Sequence, residues 1–298
     1  MKQFNKPTNK KLTDLSIESR LKAYDRCLEI SRENLRSIEI WKKLKEEGID
    51  IGYETIRVWT KGKKRPSGRL NIMKKSDEKL PYIIGIVIGD GCFYKVIKNG
   101  SYVQGRVVLG VKDKELAEYF ANISSKIFEK KKKYKVRWSK QQNVYVVEFC
   151  SKELVELLSK PLPELDSIIK ICPINFLKGI FDAEGCISIK TQNKRLYPRL
   201  FLTNSNLELI SYIKNLLENY SIKSTIQKNT LPGKIKIINN RKTATRKICY
   251  NLCIENIKGV KKFSEIIDFT IIRKQEKLKK VVSLIDKYGT QRALEMWH

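Results

Sequence analysis

Two acidic residues stand at matching places in the sequence, and each is followed by Gly-Cys. Asp90 lies at the end of "YIIGIVIGDG" and Glu184 at the end of "FLKGIFDAEG". Both apolar runs are shorter than the roughly 20 residues that cross a bilayer, so we expect buried helices. The chain has one histidine, His298, at its end. We therefore expect that any catalysis depends on the two carboxylates.

Small residues on one face of each run predict how the acids meet. Gly85 and Gly89 are four residues apart, as are Gly179 and Ala183, so each pair lies on one helix face. Glycine inside a helix costs about 1 kcal/mol relative to alanine, and close packing of two backbones would offset that loss. We therefore expect the two helices to pack on each other about a pseudo-twofold axis, with both acids at their C-terminal ends.

Paired carboxylates at two helix ends predict a metal site. A helix C-terminus carries partial negative charge, which costs about 0.3 to 1 kcal/mol per carboxylate, and the two acids repel each other. A divalent cation reverses both penalties, and oxygen ligands suit Mg²⁺, with Mn²⁺ as a substitute. The predicted ligands are Asp90, Glu184, Gly89 and Ala183. Metal held between carboxylates and a phosphate can activate water and stabilise a leaving oxygen, which is the chemistry of phosphodiester hydrolysis.

The acids also have a structural interpretation. Asp-Gly and Glu-Gly would end the helices, with Gly91 and Gly185 as left-handed caps. Two copies at matched positions, on a chain of formal charge +29, favour the catalytic interpretation.

The apolar runs belong to a longer internal repeat. The segment "GRVVLGVKDKELAEYF" at 105–120 aligns with "PRLFLTNSNLELISYI" at 198–213, and each passes from a strand-like run into an amphipathic helix. The repeat predicts two half-domains, each ordered helix, two strands, helix, two strands, helix. The proline-containing segment 160–173 is predicted to connect them.

The charge balance predicts a polyanionic partner. The 298 residues include 61 Lys+Arg against 32 Asp+Glu. These cations alternate with apolar residues along the chain, which favours nucleic acid over a membrane surface. The start "MKQFNKPTNKK" is no signal peptide, so we expect an intracellular (cytoplasmic) protein. Seven cysteines without a CxxC pair predict reduced thiols and no zinc site.

With this repeat, "IIGIVIGDG" and "LKGIFDAEG" resemble the paired LAGLIDADG motifs of homing endonucleases, most closely the single-chain archaeal intron-encoded type. The resemblance covers about residues 79–270. It implies an α+β fold in which two pseudo-symmetric αββαββα half-domains form a saddle on the major groove of double-stranded DNA, within a monomer. It also implies a metal-dependent, site-specific endonuclease that makes a staggered double-strand break in intron homing.

The resemblance also assigns roles to single residues. Both motif acids become metal ligands required for cleavage. Lys112, just after the second strand of the first half, matches a basic residue that supports the active site, although a solvated or phosphate-contacting lysine is the alternative. The aligned position in the second half is Ser205, beside Asn204, so a second base is absent or comes from elsewhere, for example Lys190. We therefore expect unequal cleavage of the two strands.

Alternate strand residues are expected to face the DNA groove. Arginine can read guanine through a bidentate contact, whereas most lysines hold phosphate. An error of one residue in register exchanges the two faces of a strand. The insertion at 229–247 is predicted to be a long hairpin loop, with a disordered surface loop as the alternative. The candidate DNA-binding residues of the sheets are Tyr94, Arg106, Arg137, Lys190, Arg195, Arg199, Asn204 and Lys228.

The N-terminal extension resembles a helix-turn-helix. We predict helices at about 17–33, 37–47 and 53–61, with a turn near Gly48 and a basic tail after the third helix. An unrelated helical hairpin gives the same pattern. Its core is predicted to contain Trp41, Leu44, Ile56 and Trp59, and its DNA-binding candidates are Tyr53, Glu54, Thr55 and Arg57.

These patterns predict four segments: a helical DNA-binding extension at 1–76, a first half-domain at 77–166, a second at 167–270, and a helical tail at 271–298 without an assigned function. Two other functions stay open, an RNA maturase that binds intron RNA and a non-catalytic transcription regulator. Retention of both acids favours the nuclease over the regulator. A transposase is weaker because no separate acidic cluster is present, and an intein is disfavoured because the chain lacks its terminal residues.

Overall fold

The computed structural model describes residues 17–62, 73–130, 132–230, 232–233, 235–238, 241–244 and 247–297. His298 and the predicted basic tail beyond residue 62 lie outside these ranges. The chain divides into two compact units, Met1–Asn71 and Ile72–His298. Within the described residues, no helix combines the length and the apolar character needed to cross a membrane.

The described residues of the first unit form three helices, as predicted: α1 (Ile17–Ser31), α2 (Ser37–Glu46) and α3 (Tyr53–Thr60). Gly48 has a φ of 79°, a conformation that favours glycine at the turn between α2 and α3. Leu44, Ile56 and Trp59 are buried in a core that belongs to this unit alone, as expected. Trp41 is half-buried, and its Nε1 donates a hydrogen bond of 2.8 Å to the carbonyl oxygen of Ile51.

The second unit begins with the first copy of the repeat, in the predicted order. Its strands form an antiparallel four-stranded sheet in the order β1-β2-β4-β3. The elements are α4 (Leu80–Gly89), β1 (Gly91–Lys98), β2 (Ser101–Val111), α5 (Lys114–Ile127), β3 (Val136–Ser139), β4 (Val144–Cys150) and α6 (Lys152–Leu158).

The segment between the two copies contains a helix that the sequence analysis described only as a connection. This helix, α7 (Leu162–Ile169), has Pro161 as its N-terminal cap and Pro163 in its first turn. The first backbone N–H groups of a helix have no partner within the helix, so proline is tolerated there. The prolines therefore start a helix rather than prevent one.

The second copy forms another antiparallel sheet, in the order β5-β6-β10-β7. The insertion contributes a separate hairpin, in which Ile235 pairs with Ala244 and Ile238 with Arg241, in agreement with the hairpin prediction. The elements are α8 (Pro173–Glu184), β5 (Gly185–Gln192), β6 (Arg195–Asn204), α9 (Leu207–Asn219), β7 (Thr225–Thr230), β8 (Ile235–Ile238), β9 (Arg241–Ala244), β10 (Cys249–Ile254) and α10 (Ile257–Ile266).

The C-terminal tail is a long helix, α11 (Ile272–Glu295), that packs against β6 and β5. Leu278 and Val281 are fully buried in the core of the second unit. Gly289 interrupts the helix with a φ of 68° and a ψ of 171°, so a short helical piece follows, as predicted. The tail is therefore an integral part of the second unit.

Candidate active site and nucleic-acid interface

The helices α4 and α8 pack with their backbones in contact, as the small residues predicted. A Cβ atom added to Gly85 would lie 2.5 Å from the carbonyl oxygen of Phe176 and 2.8 Å from the amide nitrogen of Ile180. Reciprocally, a Cβ on Gly179 would collide with the carbonyl oxygen of Tyr82. A larger residue at either position would force the two helices apart.

The same packing brings the two acids to one place. Asp90 directly follows the last residue of α4, and Glu184 is the last residue of α8. A Cβ on Gly89 would lie 2.5 Å from the Cβ of Ala183 and 3.1 Å from the Cγ of Glu184. The ends of the two helices therefore touch where the acids begin.

Gly91 and Gly185, which follow the two acids, do not act as left-handed helix caps. Gly185 has an extended conformation, with φ −78° and ψ 145°, and neither Gly185 nor Gly91 has a positive φ. A Cβ on Gly91 would lie 2.6 Å from the Cα of Val87, and one on Gly185 would collide with the carbonyl oxygen of Phe181. Each strand starts directly against the last turn of its motif helix, so the left-handed cap interpretation is wrong.

The site disfavours two unneutralised negative charges. Burial, and then the charge of Asp90, raise the pKa of Glu184 to about 7, while a hydrogen bond from Asn204 and the charge of Lys274 oppose the rise. Burial also raises the pKa of Asp90, against the opposing charge of Lys274 and with a further rise from Asp113. A cation between the carboxylates would favour their ionised forms.

The donor set of the site fits a hard divalent cation. Asp90 and Glu184 stand at the ends of two touching helices, beside Gly89 and Ala183, and the charge of Asp90 acts on Glu184. Within the described ranges, no group of three or more His, Cys, Asp or Glu residues could hold a metal ion. A metal held by the two acids would take its other ligands from backbone, water or phosphate oxygens, which Mg²⁺ accepts readily.

A buried lysine from the C-terminal helix lies beneath this site, and the sequence analysis missed it. Lys274 is 8% exposed, and its Nζ donates hydrogen bonds to the carbonyl oxygens of Asp182 (2.7 Å) and Phe181 (3.4 Å). These carbonyls belong to the last turn of α8, where a cation is favourable. Burial lowers the pKa of Lys274, while the charges of Asp182 and Asp90 oppose that fall.

Asp182 is a second buried residue that the sequence analysis did not single out. Its Oδ2 accepts a hydrogen bond of 2.8 Å from the Tyr82 hydroxyl, and its Oδ1 accepts one of 2.8 Å from the Thr270 amide. Burial raises the pKa of Asp182, and these hydrogen bonds oppose the rise. In the repeat, Asp182 aligns with Ile88. A carboxylate at an apolar position of the other copy was the signal that could have identified it.

The first turn of α11 also reaches the first half. Arg273 forms a bidentate ion pair with Asp113, with Nε–Oδ1 at 2.7 Å and Nη2–Oδ2 at 2.9 Å. Asp113 is the N-cap residue of α5 and follows Lys112, which is exposed just beyond β2. Arg273 and Lys274 therefore connect both halves beside the acids.

The predicted source of a second supporting base is not at the site. Lys190 lies six residues after Glu184 on β5, which is about 20 Å away at the usual rise of a strand. Asn204 lies there instead, and its Nδ2 donates a hydrogen bond of 3.3 Å to Oε1 of Glu184. Asn204, predicted to face DNA, therefore contacts a motif acid.

The first sheet presents its predicted residues on one face. Tyr94 pairs with Arg106 across β1 and β2, and Arg106 alternates with the buried Val107. Arg137 pairs with Val146, which lies on the same face as Arg106. The face that carries Tyr94, Arg106 and Arg137 is called the exposed face of the first sheet below.

The second sheet agrees with the prediction in part. Arg195 and Arg199 alternate with buried leucines on β6, and Lys190, which pairs with Tyr197, shares their face. This is the exposed face of the second sheet. Lys228 pairs with Tyr250, which pairs with Asn204, so Lys228 lies on the opposite face, contrary to the prediction.

Two comparisons with known proteins bear on the family of this chain. A family model described as a LAGLIDADG-like domain matches residues 172–268. The uncharacterized protein MJ0398 of Methanocaldococcus jannaschii is 30% identical over 279 residues, which cover 93% of this chain and 99% of that protein. The chain belongs to the LAGLIDADG family. The segment matched by the LAGLIDADG model ends before α11, so Arg273 and Lys274 lie outside it.

Other proteins to which this chain is similar have names or solved structures. Homing endonuclease I-DmoI of Desulfurococcus mucosus is 27% identical over 147 residues, 49% of this chain and 72% of that protein. An I-DmoI variant solved with its nicked target DNA and Mn gives a TM-score of 0.48 at 22% identity, covering 65% of this chain and 97% of that chain. The LAGLIDADG meganuclease I-AabMI, bound to uncleaved DNA, gives a TM-score of 0.45 at 14% identity. The match covers 72% of this chain and 96% of that chain.

Proposed function

We propose that this protein is a homing endonuclease that makes a staggered double-strand break in a long DNA target by metal-dependent phosphodiester hydrolysis. The observation that carries the proposal is the meeting of Asp90 and Glu184 at the ends of two helices in backbone contact. The name of the relative I-DmoI, a homing endonuclease, supports it.

In this proposal the two acids, with the carbonyls of Gly89 and Ala183, hold Mg²⁺, and Mn²⁺ can substitute. When bound, the ion supplies activation of water and stabilisation of the leaving oxygen. Asn204 fixes the orientation of Glu184 through its hydrogen bond. Lys274 contributes a buried positive charge close to both acids.

The two strands are proposed to be cut at unequal rates. Lys112 is exposed beside the N-terminus of α5 and can contact a phosphate near the first half. Its repeat equivalent is Ser205, which has no charge. We expect the DNA strand whose phosphate Lys112 contacts to be cut faster.

The exposed faces of both sheets are proposed to bind double-stranded DNA, and the first unit to add affinity. On α3, Tyr53 and Arg57 are exposed and Thr55 is half-buried, and Arg57 pairs with Glu54 at 2.8 Å. The α4–α8 interface joins both halves within one chain, so we propose that the protein acts as a monomer.

The proposal is tested by selecting a target and then cutting it. Randomised duplex DNA is selected for binding in Ca²⁺, and the selected DNA is incubated with Mg²⁺ and with Mn²⁺. We expect one staggered cut by the wild type and by the control Glu118→Gln, an exposed acid paired with Lys114 on α5. Asp90→Asn should bind the same DNA and leave it uncut.

Specific binding without a cut in any divalent metal would overturn the endonuclease proposal. The regulator or the RNA maturase would then be the better function, and intron RNA would be the next substrate to test. If Asp90→Asn cut DNA at the normal rate, the assignment of Asp90 to the active site would be wrong.

A further inference from the structure

Two arginines occupy equivalent positions on the two sheets. Arg106 on β2 aligns with Arg199 on β6 in the internal repeat. Each alternates with buried residues of its strand, so each lies on the exposed face of its sheet. The pseudo-twofold axis between the halves therefore relates these two arginines.

Each arginine is held by a glutamate. In the first half, Nη1 of Arg106 lies 2.8 Å from Oε1 of Glu148, and Oε2 of the same carboxylate lies 3.1 Å from Nη2 of Arg137. In the second half, Nε of Arg199 lies 3.0 Å from Oε1 of Glu255, and Nη2 donates hydrogen bonds to Oε1 of Gln227 (3.1 Å) and to Sγ of Cys253 (2.9 Å), which leaves Nη1 for a base. Both arginines and both glutamates keep part of their side chains exposed.

The two glutamates do not come from equivalent positions. Arg106 is paired directly with Cys150, and Glu148 is two residues earlier on β4. On β10, Cys253 pairs with Phe201 and Ile254 with Leu200, so the same register brings Glu255, just beyond the strand, directly opposite Arg199. The two arginines therefore occupy equivalent positions, whereas the two glutamates do not. What both halves share is an arginine–glutamate ion pair on the exposed face.

The chemistry of the pair matches one base pair. In the major groove, guanine presents two acceptors, O6 and N7, and arginine donates to both, whereas the N4 amino group of cytosine donates to a carboxylate. An arginine and a glutamate side by side therefore complement G·C. Exposed ion pairs add little to folding stability, but they restrict the guanidinium before DNA arrives, which lowers the entropic cost of binding.

We propose that Arg106–Glu148 and Arg199–Glu255 each read one G·C pair, in opposite half-sites of the target. This inference rests on the proposed DNA-cleaving function. Arg199 lies five residues before Asn204, which contacts Glu184, so the guanine lies within about 17 Å of the centre, or about five base pairs. Because the axis also exchanges the DNA strands, the two guanines lie on opposite strands, as an inverted repeat.

The test is a binding-site selection from randomised duplex DNA in Ca²⁺ for the wild type and for single variants. We expect a preference of about tenfold or more for G·C at the two symmetric positions of the wild-type site. Arg106→Gln should lose this preference in one half-site and Arg199→Gln in the other. Arg292→Gln, an exposed arginine near the end of α11, should keep both. Thermal melting of each variant confirms folding.

A wild-type site without the inverted G·C pairs would overturn this inference alone. If Arg106→Gln and Arg199→Gln weakened binding to all DNA sequences equally, the inference would also be overturned, because both residues would then contact phosphate rather than bases. A wild type that selects no DNA sequence would overturn the proposed function together with this inference.

Discussion

Lys274 donates a hydrogen bond of 2.7 Å from its Nζ to the carbonyl oxygen of Asp182, two residues before Glu184. Its charge opposes the rise in pKa of both Asp90 and Glu184. The lysine lies outside the segment that matches the family model. A helix beyond the matched domain thus contributes to the electrostatics of the candidate active site.

Replacement of this lysine should shift the pH dependence of cleavage. In Lys274→Met the pKa of Glu184 rises further, because an opposing charge is lost. The acid must be ionised to hold metal, so the acid limb of the pH–rate profile should move to higher pH. Loss of the hydrogen bonds should cost about 1 to 3 kcal/mol of unfolding free energy.

Two variants separate charge from packing at this position. Lys274→Arg keeps the charge and should keep the wild-type pH–rate profile. Lys277→Met, at an exposed position of the same helix, should change neither profile nor stability. An unshifted profile in Lys274→Met would show that the lysine is structural only.

The raised pKa of Glu184 predicts how stability depends on pH. Its ordinary value is 4.5 and its value in the folded protein is about 7, so folding favours the protonated acid. The free energy of unfolding should therefore fall as the pH rises from about 4.5 to about 7, by about 1 to 3 kcal/mol from this group. Urea unfolding of the wild type and of Glu184→Gln at pH 5 and pH 8 measures the difference.

The Glu184→Gln variant should be more stable than the wild type at pH 8 and similar at pH 5. Mg²⁺ should stabilise the wild type at pH 8, because it neutralises the ionised acids, and should have little effect on Asp90→Asn/Glu184→Gln. Identical pH dependence of wild type and Glu184→Gln would contradict the assigned environment of Glu184.

The contact between the motif helices predicts intolerance of a single methyl group. In Gly85→Ala the new Cβ would lie 2.5 Å from a backbone oxygen, which cannot move without shifting α8. We expect a loss of about 3 kcal/mol in urea unfolding, at the upper end for overpacked sites. Gly110→Ala is the control, because its Cβ would be 3.5 Å from the nearest atom, a side-chain methyl of Val144. Equal stability of both variants would contradict the packing argument.

Neutralising Glu148 should change nonspecific DNA binding. In Glu148→Gln, Arg106 and Arg137 lose their carboxylate partner, so two cations become available to phosphate. We expect tighter binding to random DNA and a steeper decrease of affinity with salt, by about one to two units of the log–log slope. Fluorescence anisotropy across a salt series measures this. An unchanged slope would indicate that both arginines already contact phosphate in the wild type.

Much of the fold was accessible from the sequence because it depends on local patterns. The apolar runs, the spacing of Gly85 and Gly89, and the repeat predicted the order of the elements and the meeting of the two acids. The alternation along β2 also indicated that Arg106 lies on the face of the sheet opposite the buried Val107. These features depend on periodicity, which a single sequence displays directly.

The rest depends on contacts between distant parts of the chain. Nothing near Lys274 in the sequence indicates that it reaches the end of α8, and the ion pair of Arg273 with Asp113 joins opposite halves. Lys228 was placed on the wrong face because its face depends on which residue of β10 it pairs with, and that partner is Tyr250. Strand register is set by tertiary contacts, and one residue of shift exchanges the faces.

The reciprocal contact of Gly85 and Gly179 holds the two acids at one separation without involving the exposed face of either sheet. Under the proposed function, this separation determines the length of the single-stranded overhang that cleavage leaves. Residues on the sheets can therefore diverge toward new targets while the overhang stays constant. A chimaera in which one half-domain is exchanged for that of a relative should leave an overhang of the same length, provided that the residues equivalent to Gly85 and Gly179 are both glycine.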